Sequence, residues 1–296
     1  MSTPQNLRYL VTGARGMLGS DLLEALFGRE VTVLGRADLD VTDRDAVFSA
    51  VAGHDVVINA AAYTAVDAAE TDEEAARAVN GTAAGLLGEA TASSGARLVQ
   101  VSTDYVFDGT AKEPYAESTP LAPVSAYGRT KAEGERLARE ANPDGTYIVR
   151  TAWLYGQHGP NFAKTMLRLA STHDTVSVVD DQIGQPTWTL DLAEQIVRLV
   201  DSDAPAGVYH GTNGGRASWF DFARAVFETA GLDADRVKAT DSSSFVRPAP
   251  RPAFSVLGHD AWTAAGLAPL RPWDEALHDA AAKGVFSSDD DTPSGR

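Results

Sequence analysis

The regular alternation of short apolar runs with helical segments constrains the fold of this chain more than any other feature. Each run is rich in β-forming residues, and a segment of helical periodicity follows it. This alternation predicts right-handed βαβ units and an α/β fold with a Rossmann-type, doubly wound parallel sheet. Ligands of such sheets bind outside the carboxyl ends of the strands, so we expect functional residues in the turns that follow them. The predicted strands are Leu7 to Thr12, Glu30 to Gly35, Asp55 to Ala60, Ala96 to Ser102 and Thr146 to Thr151.

A glycine-rich turn follows the first predicted strand, with the spacing Gly13, Gly16 and Gly19, and leads into a leucine-rich helical pattern. Glycines permit a tight turn and bring the backbone close to a pyrophosphate, which rests on the helix N-terminus. The chain has 26 glycines, so the strand-turn-helix context carries more weight than the spacing itself. The turn predicts a nucleotide site with cofactor contacts from Gly13, Arg15, Gly16, Met17 and Leu18.

The second predicted strand ends at Gly35-Arg36, where enzymes that prefer NAD usually carry an acid for the ribose diol. Two guanidiniums, Arg15 and Arg36, favour a 2′-phosphate and hence NADPH, with NADH as a possible cofactor. Arg36 as a solvent-facing loop residue is the alternative. Asp40 and Val41 are expected against the adenine edge. After the third strand, the small residues of the segment Ala61, Ala62 and Tyr63 leave room for a flat ligand.

The segment from Ala126 to Ala138 predicts a helix, with Pro123 near its first turn. Tyr127 and Lys131 are four residues apart and should project from one face. A nearby ammonium stabilises a phenolate and lowers the pKa of the phenol. A surface tyrosine and a solvated lysine are the alternative.

A second open question concerns Asn80, which lies in a predicted helix from Thr71 to Ser93. It is either a satisfied structural residue or part of a site.

Composition narrows the classes of function. The 296 residues carry a net charge of −16, which disfavours a nucleic-acid partner. No cysteine is present, which excludes disulfides and thiolate metal sites. No apolar run approaches the roughly 18 residues of a membrane span, and the N-terminus lacks a signal-peptide pattern. We therefore expect a cytoplasmic protein without a membrane partner.

Together these motifs resemble the extended branch of the short-chain dehydrogenase/reductase superfamily. Six ordered blocks are similar to the dTDP-4-dehydrorhamnose reductase family across most of residues 7 to 260. Six blocks in the same order are far more specific than any one of them. The blocks are NAAAYTAVDAAE, VSTDYVFDG, PVSAYGRTKAEGE, RTAWLYG, NFAKTMLRLA and DDQIGQPT.

The resemblance implies that the protein reduces the C4 ketone of a dTDP-4-keto-6-deoxysugar and forms dTDP-L-rhamnose. In this family Tyr127 would donate the proton, Lys131 would lower the Tyr127 pKa and hold the nicotinamide ribose, and Thr103 would bind the carbonyl oxygen. Ser102 would contact the cofactor. The positions that match the substrate side are Thr64, Val66, Asp104 and Trp153, and Trp153 either stacks on the sugar or fills the lobe interface.

Arg251 lies in the stiff segment Arg247-Pro-Ala-Pro-Arg251-Pro, which is a candidate to meet the substrate's diphosphate or simply a proline-rich surface loop. The resemblance implies a smaller, discontinuous α/β substrate lobe. We expect an NADP-binding Rossmann domain of residues 1–150, with returning segments at about 173–196 and 237–257. The substrate lobe would then comprise 151–172, 197–236 and 258–286, followed by a disordered tail at 287–296.

The oligomeric state is open between a monomer and a homodimer. Some members of the family dimerise around a magnesium held by glutamates, but Arg15 stands where one such acid can lie, so no metal is expected. The six histidines show no ligand spacing.

Three other functions remain open. The first is reduction of a different dTDP-deoxysugar in an antibiotic or glycan pathway. A dehydratase would need Asp-Glu after Thr103, whereas Asp104-Tyr105 stands here. A non-catalytic nucleotide-binding subunit, similar to the regulatory subunit of methionine adenosyltransferase, is disfavoured because the glycines, Tyr127 and Lys131 are all present.

Overall fold

A six-stranded parallel sheet forms the centre of the computed structural model, which describes residues 7–286. In chain order the strands are β1 (Arg8–Thr12), β2 (Glu30–Leu34), β3 (Val56–Asn59), β4 (Arg97–Thr103), β5 (Thr146–Thr151), β6 (Leu154–Tyr155), β7 (Val176–Val179), β8 (Ile183–Gly184), β9 (Thr187–Trp188), β10 (Gly207–His210), β11 (Ala217–Ser218) and β12 (Val237–Thr240). The central sheet has the order β10-β5-β4-β3-β1-β2, and each neighbouring pair is parallel. The predicted Rossmann-type fold class is confirmed.

Helices cover both faces of this sheet, as a doubly wound fold requires. Alternate strand residues point to opposite faces. Val11 and Ile58 therefore pack with the helices Met17–Ala25 and Thr189–Asp201, and Leu10 and Val57 with the helices Arg44–Val51 and Ala83–Ser94. The helices are α1 (Met17–Ala25), α2 (Arg44–Val51), α3 (Val66–Ala69), α4 (Glu73–Arg77), α5 (Ala83–Ser94), α6 (Ala126–Ala141), α7 (Phe162–Ala170), α8 (Thr189–Asp201), α9 (Trp219–Thr229), α10 (Asp260–Ala264) and α11 (Trp273–Ala282).

The helix predicted from Thr71 to Ser93 is interrupted. A π-helical turn from Ala78 to Thr82 separates α4 from α5. This turn presents the Asn80 carbonyl to α6, where a Cβ atom on Gly134 would lie only 2.0 Å from the Asn80 oxygen. A wider turn of this kind is frequent at functional sites, and here it allows two helices to approach closely.

A second apolar core belongs to the smaller lobe. It is built from aliphatic and aromatic side chains, many of them on α7, α9 and α11, and includes Phe162, Phe222 and Phe227. Three two-stranded sheets pair β11 with β8, β12 with β7, and β6 with β9. These segments are distant in sequence, so the lobe is discontinuous.

The observed packing differs from the predicted domain boundaries at two places. Strand β10 pairs in register with β5, Gly207 opposite Tyr147, and so extends the central sheet, although residues 197–236 were expected in the substrate lobe. Val176 and Val237, from β7 and β12, pack in the core of the smaller lobe rather than in the nucleotide domain. The strand partner of a short apolar run depends on the tertiary fold, so it cannot be predicted from the residues of the run itself.

Two structural features are absent from the described residues. Residues 7–286 contain no helix that is both long and apolar enough to cross a membrane. The same range holds no group of three or more His, Cys, Asp or Glu side chains arranged for a metal ion. The tail predicted at 287–296 lies outside the described residues.

The contact between α6 and the π-helical turn leads to a stability prediction. Gly134→Ala should lower the free energy of unfolding by about 1–3 kcal/mol, because the added methyl group overlaps the Asn80 carbonyl. Gly207→Ala is the matched control, since a Cβ atom there would meet nothing within 4 Å. Urea unfolding of both variants measures the difference, and equal stabilities would contradict the close approach.

Candidate active site

The helix that carries Tyr127 and Lys131 begins at Ala126 because two polar side chains cap it. The Ser125 hydroxyl accepts a hydrogen bond from the Gly128 N–H at 3.1 Å. The Glu70 carboxylate accepts another from the Ala126 N–H at 2.8 Å. Capping satisfies donors that have no partner within the helix. Pro123 therefore precedes the helix by three residues, close to its first turn as predicted.

The first turn of α6 packs directly on the loop that follows β4. A Cβ atom on Gly128 would lie 2.2 Å from the Tyr105 carbonyl oxygen, so only glycine allows this approach. The rings of Tyr105 and Tyr127 meet edge to face, with centroids 5.6 Å apart. This contact brings Tyr127 beside Thr103, close enough for the Thr103 side chain to favour the Tyr127 phenolate.

Burial dominates the electrostatics of the predicted catalytic pair. Desolvation raises the pKa of Tyr127 to about 12, although hydrogen bonding to Thr103 opposes the shift. Desolvation lowers the pKa of Lys131 to about 8, with the Glu135 carboxylate opposing it. The Lys131 ammonium donates to the Val101 carbonyl at 2.7 Å. The pKa of Tyr127 is thus shifted in the direction opposite to the one expected from Lys131, because desolvation and the charge of Asp104 both raise it.

Asp104 is a buried carboxyl group next to this pair. Its Oδ1 atom accepts a hydrogen bond from the Thr103 hydroxyl at 3.0 Å, whereas Oδ2 has no hydrogen-bond partner in the described part of the chain. Ser255 is close enough to favour the carboxylate but is not in hydrogen-bonding geometry. Burial outweighs the favourable influence of Ser255 and Thr103 and raises the pKa of Asp104 to about 6.

The glycine turn after β1 has the geometry of a phosphate cradle. Gly13 has a φ of +66°, and a Cβ atom there would lie 2.5 Å from the Ala61 nitrogen. Gly16 is the N-cap of α1, which has neither a capping side chain nor an acid in its first turn. The N-terminal amides of α1 are thus free of competing protein anions, and the turn fits the pyrophosphate of a dinucleotide. Met17 and Leu18, for which cofactor contacts are predicted, are the first two residues of α1.

A buried hydrogen-bond network fixes the edge of the sheet below this cradle. The Asn59 Oδ1 atom accepts from the Thr12 hydroxyl at 2.6 Å and from the Ala61 N–H at 3.1 Å. The Asn59 amide donates to Gln100 at 2.7 Å. These bonds join β1, β3 and β4 and hold the loop that begins at Ala61. Asn59 was not among the predicted site residues, since an asparagine at a strand end has many other uses.

Asn80 anchors the other end of the same loop. Its side chain accepts from the Tyr63 N–H at 2.9 Å and donates to the Tyr63 carbonyl at 3.1 Å. It also donates to the Thr130 hydroxyl on α6 at 3.2 Å. The sequence left two functions open for Asn80, and the structure shows a satisfied residue that positions the site. Ala62 and Tyr63 are half-buried, Thr64 is exposed, and Val66 is the first residue of α3.

The loop after β2 carries an acid that the sequence analysis missed. Asp38 accepts from the Gly35 N–H at 2.9 Å and forms an ion pair with Arg15 at 3.1 Å. Arg36 is exposed, and its charge helps to lower the pKa of Asp40, whose main stabilisation comes from Thr42. The region therefore contains carboxylates as well as the two predicted guanidiniums. Asp38 lies four residues beyond the strand, outside the position where the acid of NAD-preferring enzymes is usually sought. Val41, the second residue expected at the adenine edge, is half-buried.

Ser102 and Trp153 are engaged by other protein groups. The Ser102 hydroxyl donates to the Glu135 carboxylate at 2.6 Å. Trp153 has a φ of +48°, which is rare for a bulky residue, and its ring stacks on Trp219 at a centroid distance of 3.6 Å. A Cβ atom on Gly184 would lie 2.5 Å from the Trp153 ring. One face of the indole is therefore covered by another side chain of the smaller lobe, and the predicted contact with the sugar stays a prediction.

Arg251 is already paired. Its guanidinium contacts the Asp67 carboxylate at 2.9 Å, and the same carboxylate accepts from the Ala249 N–H at 3.2 Å. This ion pair joins the proline-rich loop to α3. Its charge is therefore partly neutralised where a diphosphate was predicted to bind.

A cavity of about 520 Å³ is lined by two cations and one acid, Asp221. Lys112 and Arg216 line it, and within residues 7–286 neither cation forms an ion pair. Ile183 and Phe254 provide apolar walls. Phe254 precedes Ser255, which lies near Asp104, so one wall of the cavity belongs to a segment that also reaches the predicted catalytic residues.

The parallel sheet, the glycine cradle and the Tyr127–Lys131 pair beside Thr103 define a nucleotide-binding protein of the short-chain dehydrogenase/reductase class. The family described as "RmlD substrate binding domain" matches residues 7–285, and the chain belongs to this family.

Named relatives resemble the chain over almost its full length. A dTDP-4-dehydrorhamnose reductase of Streptomyces griseus is 52% identical over 94% of this chain and 94% of its own length. A dTDP-4-keto-6-deoxy-D-glucose reductase of Streptomyces niveus is 50% identical over 92% of this chain and 96% of its own length. A dTDP-4-dehydrorhamnose reductase from Bacillus anthracis, solved in complex with NADP, is 36% identical with a TM-score of 0.90, covering 94% of this chain and 99% of that one.

The buried carboxyl of Asp104 leads to a pH prediction. Its pKa of about 6 exceeds the ordinary value of 3.8, so ionisation costs stability as the pH rises from about 4 to 6. Asp104→Asn should therefore raise the free energy of unfolding by about 2–3 kcal/mol at pH 7, and by progressively less toward pH 4. Urea unfolding across this range measures the difference. An increment that stays constant with pH would contradict the raised pKa.

Proposed function

We propose that the chain is an NADPH-dependent reductase of the C4 ketone of dTDP-4-keto-6-deoxysugars. Its substrate is dTDP-4-dehydro-6-deoxy-L-mannose and its product is dTDP-L-rhamnose. The observation that carries the proposal is the placement of Tyr127 beside Thr103 at the carboxyl edge of the sheet, in a chain about half identical to named reductases of such sugars. The NADP complex of the B. anthracis relative and the glycine cradle support the cofactor.

Tyr127 donates its phenolic proton to the carbonyl oxygen of the substrate. When bound, NADPH supplies the hydride that the ketone carbon accepts, so one hydride and one proton convert the ketone to an alcohol. On substrate binding, the Thr103 hydroxyl turns its single proton from Asp104 Oδ1 to the same oxygen and fixes the position of that oxygen. Tyr127 is left as a phenolate, which takes a proton from solvent before the next turnover.

Lys131 stabilises that phenolate. Desolvation and the charge of Asp104 hold the pKa of Tyr127 at about 12 despite Thr103, so a nearby cation is needed to bring the phenol toward the working range. Lys131 lies one helical turn from Tyr127 and is itself buried. Its remaining hydrogen-bond donors hold the nicotinamide ribose.

The charged cavity accepts the diphosphate of the sugar nucleotide. Lys112 and Arg216 are better placed for this role than Arg251, because Arg251 already pairs with Asp67. Phe254 offers an apolar wall to the nucleoside. Thr64, Val66, Asp104 and Trp153 remain the proposed neighbours of the sugar.

A second candidate is reduction of another dTDP-deoxysugar. The S. niveus relative, named for a D-glucose-configured substrate, is nearly as similar as the S. griseus relative named for dehydrorhamnose. A few side chains of the substrate lobe decide between such sugars, since differences of one or two hydrogen bonds suffice. A non-catalytic subunit is less well supported, because the Tyr127–Thr103 contact and the Lys131 ammonium serve no evident purpose there.

Oxidation of NADPH, followed by absorbance, tests the proposal. The substrates are dTDP-4-keto-6-deoxy-L-mannose prepared in situ and its D-configured 4-keto precursor. The proposal predicts oxidation with the L-sugar only. Oxidation with the D-sugar would favour the second candidate, and no oxidation with either would overturn both.

The proton-donor role leads to a kinetic prediction. Tyr127→Phe should lower kcat by about 10²–10⁴-fold, the usual contribution of a positioned general acid, while NADPH affinity changes little. Tyr155→Phe is a suitable control, because the Tyr155 hydroxyl is buried in the smaller lobe without a partner in the described range. Steady-state kinetics and NADPH titration of both variants provide the test. A Tyr127→Phe enzyme that keeps most of its kcat would exclude the role.

The charges around the adenosine ribose lead to a second functional prediction. Arg15→Ala and Arg36→Ala should each lower the ratio of kcat/KM for NADPH over NADH by about tenfold, as expected for one lost charge-assisted hydrogen bond. Asp38→Asn should raise the ratio, because Asp38 competes with the 2′-phosphate for Arg15. Ratios that stay the same in all three variants would contradict this assignment of the 2′-phosphate site.

A further inference from the structure

A buried ion pair lies beneath the helix that carries Tyr127 and Lys131. The Arg150 Nη2 atom is 2.7 Å from Glu135 Oε2, and Arg150 Nε is 2.9 Å from Glu135 Oε1. Both side chains are only 4% exposed. The Ser102 hydroxyl donates to Glu135 Oε1 at 2.6 Å, so three donor atoms of two side chains hold one carboxylate. None of these three side chains has a role in the proton transfer proposed above.

This ion pair connects α6 to the strands that end at the site. Arg150 lies on β5 directly opposite Ser102 on β4. It also donates to the Glu117 carbonyl at 3.2 Å and approaches His210 Nε2 on β10 at 3.3 Å. A bidentate guanidinium–carboxylate pair fixes orientation as well as distance. The pair therefore sets the position of α6 along the edge of the sheet.

Glu135 is also one helical turn from Lys131, and both side chains are buried. Its carboxylate raises the pKa of Lys131 against the lowering caused by burial. Other ionisable groups lie nearby: Tyr127 on the same helix, Asp104 after β4, and Arg150 on β5 beyond Glu135. His210 is kept neutral, since burial and the charge of Arg150 lower its pKa to about 3. Glu135 is the charged group whose field favours the Lys131 ammonium.

We propose that Glu135, held by Arg150 and Ser102, is a positioning residue that acts through Lys131. It fixes the turn of α6 that carries the ammonium, and it supplies the negative charge that keeps Lys131 protonated during turnover. The inference rests on the proposed function for the role of Lys131 in turnover, but its electrostatic part does not depend on that role.

Glu135→Gln tests the proposal through a pH profile. Loss of the carboxylate should move the alkaline limb of kcat to lower pH by about one unit, because Lys131 then loses its proton sooner. At pH values above this limb, kcat of Glu135→Gln should be about tenfold below that of the unsubstituted protein. Near pH 6, the two kcat values should agree within about twofold. A purely structural role would lower kcat by the same factor at every pH.

Two further variants complete this test. Glu133→Gln removes a carboxylate from the same helix that pairs with Arg77 at 3.0 Å near the surface, and it should leave the alkaline limb in place. Glu135→Gln/Arg150→Met removes the charge without leaving a buried guanidinium unpaired, so it tests the shift if the single variant does not fold. The double variant should show the same displaced limb.

A titration of Lys131 by NMR gives a readout that does not need activity. The chain has five lysines, so the ¹³Cε signal of Lys131 can be assigned with a Lys131→Arg variant. The midpoint should fall by about one pH unit in Glu135→Gln and not in Glu133→Gln. An unchanged midpoint together with an unchanged limb would overturn the inference. A lower midpoint in a protein that reduces no keto-sugar would instead preserve the electrostatic link and reject the proposed function.

Discussion

The close packing of α6 against the carboxyl end of β4 is the constraint on which the site depends. Gly128 and Gly134 allow the contact, since a Cβ atom at either position would overlap a carbonyl oxygen. The buried Arg150–Glu135 pair holds the helix from below. With the helix fixed in this way, Tyr127 lies beside Thr103, and the Lys131 ammonium reaches the Val101 carbonyl. The first turns of α6 thus carry the proposed catalytic side chains, and its middle turn holds the helix in place.

Burial gives the site both its geometry and its unusual ionisation. The pKa of Tyr127 and that of Asp104 are raised and that of Lys131 is lowered, in each case mainly by desolvation. Clusters of shifted pKa values are typical of functional sites, where the rest of the fold offsets the unfavourable terms. Here the Asn59 network and the hydrogen bonds from Asn80 hold the backbone around these groups. The same networks place the loop from Ala61 to Tyr63 opposite the glycine turn.

Local patterns predict the parts of the structure that depend on neighbours in sequence. The five predicted strands, the glycine turn and the Tyr127–Lys131 helix all appear in the fold with ends shifted by a residue or a few. Contacts between distant segments could not be predicted in this way. Arg251 pairs with Asp67, 184 residues away, and β10 joins the central sheet instead of the smaller lobe. The π-helical turn at Asn80 likewise depends on Gly134 across the interface, which no helical periodicity reveals.

Transfer of a labelled hydride tests the central claim most directly. The enzyme would be given dTDP-4-keto-6-deoxy-L-mannose and NADPH that carries deuterium at the transferable position of its nicotinamide. The account predicts a dTDP-6-deoxyhexose with one deuterium at C4, detected by mass spectrometry and NMR, whose coupling constants match the rhamnose configuration. Recovery of the unlabelled keto-sugar with the cofactor unchanged would contradict it.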